Sequence, residues 1–292
     1  MKIDPTKILR LNFPQWQGGD RPDYKMGARV LSTIAPSALG PVETIAVADA
    51  GSHPRPIEQG IVSRQALLSN LTAAQSAIAR HNPDAIVTLG GDCLINLAPT
   101  SYLSQRYGDD LAVLWVDAHP DIMTAEQFQN AHAHVLGMLM GIGDAEFVEA
   151  VPKPVKASNI LYVGLTETTP YESEFISKHG IARLSPEDLI GSAEPVLNWL
   201  RNSGAKKVAV HFDLDVLDPD HYGFLLSQDP DADPTVFEGV AEGRMRFEEV
   251  ANILNAVDAE ADIVGLAIAE YMPWNVIQLS RSLKTLPLLG AT

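Results

Sequence analysis

Short runs of Val, Ile, Leu and Ala, too continuous for strands with one wet face, recur along this chain and constrain its fold more than any other feature. They fall at Thr44–Ala48, Ala85–Leu89, Ala112–Val116, Ile160–Gly164, Val208–Phe212 and Ile263–Ala267. Runs that do not alternate read as strands buried on both faces. Between them, apolar residues recur at helical spacing. The clearest case is Ser63–Arg80, where Leu67, Leu71, Ala74 and Ile78 stand about one turn apart. Ala98–Tyr107, His134–Met140, Ser192–Asn202, Phe247–Val257 and Val276–Leu283 read as further helices, with Gly204 as a helix stop. Strand and helix in alternation predict an α/β fold, a parallel sheet covered by helices on both faces.

The chain has 292 residues, 46% of them hydrophobic, enough for a sizeable core. It carries no repeat, low-complexity tract or linker, so one domain over residues 1–292 is expected. Asn12–Lys25 and Asp218–Arg246 read as long loops, a length that usually serves function. The formal net charge of -16 lacks the basic footprint of a nucleic-acid binder or a polybasic membrane anchor. No apolar run approaches the ~20 residues of a membrane helix. Asp4 and Pro5 interrupt the place where a signal peptide needs its apolar stretch. The single cysteine excludes an intrachain disulfide. These features lead to the expectation of a cytoplasmic protein that binds neither nucleic acid nor membrane.

Polar groups collect where the strands end. After Leu89 comes Gly90-Gly-Asp-Cys93, after Val116 comes Asp117-Ala-His119-Pro-Asp121, after Phe212 comes Asp213-Leu-Asp215, and after Ala269 comes Glu270. Open α/β sheets bind ligands at the carboxyl ends of their strands. Asp117 and His119 lie two apart, as do Asp213 and Asp215, so each pair shares a side of an extended backbone. Carboxylates crowded this way repel one another, and divalent cations remove that penalty. Oxygen-rich donors with one imidazole suit Mn²⁺ or another first-row dication, and the donors outnumber what one tetrahedral zinc needs.

Taken together, GGDC, DAHPD, Asn130-Ala-His132, Phe212-Asp-Leu-Asp-Val-Leu-Asp-Pro219 and Glu270 resemble the motifs of the arginase or ureohydrolase superfamily, in order and spacing, from about residue 8 onward. The resemblance implies a three-layer α/β/α sandwich with a mainly parallel sheet. It also implies two Mn²⁺ ions bridged by Asp117 and Asp213, with Cys93 and Asp121 completing one and His119 and Asp215 the other. The implied activity is hydrolysis of a guanidino compound to urea or hydroxyurea by water activated between the metals. Asp121 would orient that water, Glu270 would hold the guanidinium, and His132 would shuttle the proton. Family members often form trimers or hexamers, so a homo-oligomer is in view, although nothing in this chain fixes its state.

The departures from the family pattern matter as much. Cys93 stands where most members have histidine. It reads as a thiolate ligand, as a buried packing residue, or as a redox sensor. Cysteine there is similar to a branch that hydrolyses Nω-hydroxy-L-arginine. Aligning Asn130-Ala-His132 to the family's N-x-H selects His132 as shuttle, whereas counting without a gap from Asp121 selects His134. Asn130 and His134 are the further substrate-side candidates. Met123 replaces an expected asparagine and Thr169 an expected aspartate, so the amino-acid end departs from a standard arginase. Arginine, hydroxyarginine, agmatine and other guanidino acids stay open as substrates. His211 and Asp218 read as supporting or turn residues. Two rivals remain: a non-catalytic relative that keeps the fold, and a single-zinc amide hydrolase of the deacetylase type.

Overall fold

The computed structural model describes residues 3–283. Its strands are β1 (Ile8–Phe13), β2 (Val42–Thr44), β3 (Ile57–Glu58), β4 (Ile61–Val62), β5 (Ala85–Gly90), β6 (Leu111–Val116), β7 (Ile160–Val163), β8 (Ala182–Leu184), β9 (Lys207–Asp213) and β10 (Asp262–Ala269). β3 and β4 form a small antiparallel hairpin. The other eight make one parallel sheet in the order β2-β1-β5-β10-β9-β6-β7-β8. The helices are α1 (Tyr24–Ile34), α2 (Arg64–His81), α3 (Leu97–Tyr107), α4 (Val135–Leu139), α5 (Ala145–Glu149), α6 (Pro170–His179), α7 (Glu194–Ser203), α8 (Phe247–Glu260) and α9 (Trp274–Leu283).

β6 shows why the sequence gives this layering. Its side chains alternate between two cores. Leu111, Val113 and Trp115 pack with Leu67 of α2, Leu103 of α3 and Leu136 of α4. Ala112, Leu114 and Val116 pack with Val196 of α7 and Val250 of α8 on the other face. Burying a Val or Leu side chain stabilises by roughly 1.5–3 kcal/mol. A strand apolar on both faces therefore belongs in the middle of such a sandwich, as the sequence led us to expect. Among the described residues, no helix is long and apolar enough to cross a membrane.

The differences from expectation have local causes. The strand expected at Thr44–Ala48 is instead Val42–Thr44, at the sheet edge. Beyond it, the backbone of Ala48 is claimed by side chains: its N–H donates to Asn70 Oδ1 at 2.6 Å and its carbonyl accepts from Gln17 Nε2 at 2.6 Å. The loop expected over Asn12–Lys25 includes the end of β1 and the start of α1. β1 alternates buried and half-buried positions, with Arg10 and Asn12 breaking the apolar run. α6 was also not expected from the apolar pattern. It is set by a capping box at Thr169-Pro-Tyr-Glu172: the Thr169 hydroxyl accepts from the Glu172 N–H, and the Thr169 N–H donates to the Glu172 carboxylate at 2.7 Å.

Candidate metal centre

The four central strands β5, β10, β9 and β6 are neighbours, so the residues leaving their carboxyl ends meet at one edge of the sheet. β5 delivers Cys93, β6 delivers Asp117, His119 and Asp121, β9 delivers Asp213 and Asp215, and β10 delivers Glu270. The aspartates that close β6 and β9 turn back on their own chains. Asp117 Oδ1 accepts from the His119 N–H at 2.6 Å, and Asp213 Oδ1 from the Asp215 N–H at 2.8 Å. That local bond fixes each carboxylate before any ligand arrives.

The donors fall into overlapping groups. Ligand atoms of Asp117, His119 and Asp215 lie within 4.8 Å of one another, as do those of Cys93, Asp213 and Glu270. His119 Nδ1 is 2.9 Å from Asp215 Oδ2, and Cys93 Sγ is 2.8 Å from Asp213 Oδ2 and 3.4 Å from Glu270 Oε1. A third and a fourth group join His211 to Cys93 and Asp121, and to Asp117 and Asp213. Two residues of the cluster, Asp121 at φ 51° and Glu270 at φ 61°, hold left-handed backbone that L-residues disfavour.

A buried polar clamp frames this cluster. Asp92 points away from the donors and accepts from Gln15 Nε2 at 2.9 Å and from the Gly18 N–H at 2.8 Å. Gly91 lets the two segments touch, because a Cβ there would lie 1.5 Å from the Gln15 carbonyl oxygen. The Gly18 carbonyl in turn meets His132 Nδ1 at 2.9 Å. A carbonyl only accepts, so Nδ1 carries the proton and Nε2 is left to other partners.

Electrostatics at the cluster run almost entirely one way. Burial raises the carboxyls of Asp121, Asp213, Asp215 and Glu270, and carboxylate neighbours such as Asp117 and Asp215 add to it. Glu270 is pushed up to about 7. Burial also raises the Cys93 thiol, helped by Asp213 and Glu270. Burial alone would lower His119, but Asp215 and Asp117 outweigh it and favour the imidazolium. Asp117 is the exception: burial pushes it up, yet the His119 and His211 imidazoles hold it below the usual carboxylate range. Apart from Asp117, then, the cluster draws in positive charge. Among the described residues, Asp121 Oδ2 and both ring nitrogens of His211 also have no hydrogen-bond partner. A carboxylate oxygen and an imidazole nitrogen left without a hydrogen bond among crowded carboxylates are what a pair of cations would satisfy, so the residues fit a binuclear metal site.

A model of the arginase family matches residues 17–278. The chain belongs to the arginase family. Among curated relatives, the arginase of Staphylococcus aureus strain MRSA252 is 32% identical over 151 residues, covering 49% of each chain. The matched span is thus about half the length of such relatives. The arginase of Entamoeba histolytica, solved in complex with L-ornithine, superposes with a TM-score of 0.76 at 21% identity, covering 94% of this chain and 93% of that one. The arginase of Bacillus caldovelox gives 0.75 at 19% identity, covering 91% of both. At these identities the structures carry the fold.

Within this family member the cluster floors a cavity of about 500 Å³, inside the usual range for small-molecule sites. Cys93, His119, Asp121, Asp213, Asp215 and Glu270 line it, and Asp117 lies buried behind them. His132 also lines the cavity. His134 and Asn130 do not. His134 Nε2 is 2.8 Å from the Phe128 carbonyl, and Asn130 Nδ2 reaches Gly19 O at 3.4 Å, so both sequence candidates are engaged elsewhere. Towards the mouth the lining is Met123, Phe128, Thr169, Leu226 and Val240, with Glu167, Thr168 and Glu172 beside them. Leu226 and Val240 come from the segment read as a long loop. Asp218 sits in a turn, accepting from the Asp220 N–H at 2.9 Å. Sequence reasoning passed over Gly18, which acts through a backbone carbonyl, and Trp115, whose Nε1 donates to Asp117 Oδ2 at 3.1 Å.

Proposed function

We propose that this chain is a binuclear metal-dependent hydrolase that splits a guanidino compound into urea, or hydroxyurea from an N-hydroxylated substrate, plus an amine. The observation that carries this reading is the convergence of carboxylate, imidazole and thiol donors with Glu270 on the floor of one cavity. Asp117 and Asp213 would be shared between two positions, an inner one completed by Cys93 and Asp121 and an outer one by His119 and Asp215. The carboxylates and single imidazole of the outer set suit Mn²⁺. Bound cations would supply Lewis acidity and a water acidic enough to ionise near neutral pH.

The chain's own residues account for the rest. Asp121 Oδ2 would accept a hydrogen bond from the attacking water and aim it at the guanidinium carbon. Glu270 would hold the guanidinium by charge-assisted hydrogen bonds. The cationic group offsets the burial that raises this carboxyl, so substrate binding favours its ionised form. As the C–N bond to the amine breaks, His132 would deliver a proton from Nε2, with Nδ1 anchored on Gly18. Met123 in place of asparagine and Thr169 in place of aspartate favour guanidino substrates whose far end is not a standard amino-acid head, with Glu167 and Glu172 as the carboxylates on that side of the lining. The same reading treats residues 1–292 as one domain of a cytoplasmic enzyme, a homo-oligomer in keeping with its family, with no nucleic-acid partner. Purified protein should retain about two transition-metal ions per chain and release urea or hydroxyurea from at least one member of a guanidino panel. Absence of both metals would sink the proposal.

A further inference from the structure

His211 lies buried against the donor cluster beneath the cavity, and the proposed reaction leaves it unused. It stands on β9 two residues before Asp213, so both side chains leave the same face of the strand. On the neighbouring β6, Trp115 stands two residues before Asp117, and Trp115 and His211 are register partners. Their rings stack at 3.8 Å between centroids, 17° from parallel. The two aromatic groups differ in one respect. Trp115 satisfies its N–H on Asp117, whereas His211, at 0% exposure, has no hydrogen bond to either ring nitrogen among the described residues.

Packing under Trp115 requires only a flat or apolar group. A buried imidazole with no well-formed hydrogen bond, and only the long 3.4 Å approach of Asp117 Oδ2 to Nε2, costs stability unless something occupies one of its nitrogens. Its surroundings supply the occupant. His211 groups within 4.8 Å with Cys93 and Asp121, and again with Asp117 and Asp213. Those four are the residues assigned above to the inner cation. Neither of these groups includes His119 or Asp215. Nε2 lies 3.4 Å from Asp117 Oδ2, a spacing that two ligands of one ion can share.

We propose that His211 is a direct imidazole ligand of the inner cation, making that position a thiolate–imidazole–carboxylate site that selects a different metal from the outer one. The inference rests on the binuclear reading. Sulfur and imidazole together favour a late, borderline-soft dication such as Zn²⁺ at the inner position, while the outer set stays suited to Mn²⁺. The thiol of Cys93 and the imidazole of His211 then act as a pair on one ion.

The test loads metal-free full-length protein, under reducing conditions, with one equivalent of Zn²⁺ and reads its coordination by X-ray absorption. Mn²⁺ is then added and counted after desalting. The expected result is one sulfur and one imidazole on the same zinc, followed by uptake of about one Mn²⁺. His211→Gln should keep the sulfur, lose the imidazole and weaken zinc binding by at least about tenfold, whereas His119→Gln should keep both scatterers. If His211→Gln fails to fold, the wild-type and His119→Gln spectra decide together: loss of the imidazole in His119→Gln would overturn the proposal. Zinc with sulfur but no imidazole would remove His211 from the site and leave the binuclear reading standing. Zinc with imidazole and no sulfur would lie on the outer donors and also overturn the proposal. Retention of neither metal would overturn the binuclear reading beneath it.

Discussion

Asp213 at the cavity floor is 1% exposed, ends a central strand and is held by a backbone hydrogen bond two residues on. Val240 at the mouth is 48% exposed and belongs to a long segment between β9 and α8. The floor is assembled from strand ends that the sheet cannot move without breaking its own pairing. The mouth is assembled from loops and from the cap of α6. The floor keeps the residues through which this chain resembles its family, and the mouth carries Met123 and Thr169 where polar recognition was expected. Under the proposed function, reaction type would be tied to the strand-end floor and substrate choice to the loop-built mouth.

The sharpest way to break that division is at Glu270. Glu270→Gln should lower guanidino hydrolysis on the order of 10³-fold, as two charge-assisted hydrogen bonds are lost, while metal content by elemental analysis stays the same. Activity near wild type would remove Glu270 from the substrate. His132→Asn comes next. It should lower kcat roughly a hundredfold with little change in KM, and stopped-flow product release should show no compensating burst. An equal effect from His134→Asn instead would reverse the assignment of the two histidines.

Acid should separate floor from mouth in the metal-free protein. Glu270 is raised to about 7, so its contribution to stability is present below the unfolded carboxyl range and lost as pH rises toward 7. Burial lowers His134 to about 4, so its contribution is present above the unfolded imidazole range and lost as pH falls from there toward 4. His134 bonds the Phe128 carbonyl, so this second loss falls on the mouth. His134→Gln, whose amide can still donate to that carbonyl, should remove about 3 kcal/mol of acid-linked destabilisation, measured by denaturant melts at several pH values. An unchanged pH profile would contradict the burial argument. The smallest effect belongs to Met123→Asn. It should shift KM by less than about tenfold in favour of substrates with a polar far end and leave kcat unaltered. A collapse of kcat there would mean that the mouth takes part in the chemistry.

How much was legible in the sequence follows the same line between floor and mouth. GGDC, DAHPD and FDLDVLDP could be read because a strand end packs several donors into a few consecutive residues. The N-x-H pattern favoured His132, but a gapless count pointed to His134, because which of them lines the cavity depends on a loop held by Gly18 and Asp92, far away in the chain. His211 carried a usable signal: it stands two before Asp213, on the same strand face, but inside an apolar run it reads as a supporting residue. The capping box of α6 was also present as Thr169-Pro-Tyr-Glu172 and was passed over in favour of apolar periodicity. Gly18 and the side-chain capture of Ala48 left no sequence signal, since both work through main-chain atoms.

The left-handed backbone at Asp121 and Glu270 has a consequence for anyone who selects this protein for robustness. L-residues in that region cost roughly 1–2 kcal/mol, and glycine does not. Removing either carboxylate also relieves the metal-free cluster of crowding. A blind screen for heat tolerance of the metal-free protein would therefore favour Asp121→Gly and Glu270→Gly, the two changes that would erase the proposed water-orienting and guanidinium-holding groups. Directed evolution of this scaffold needs a catalytic readout at every round, because thermal resistance used alone as the criterion would reward the loss of its chemistry.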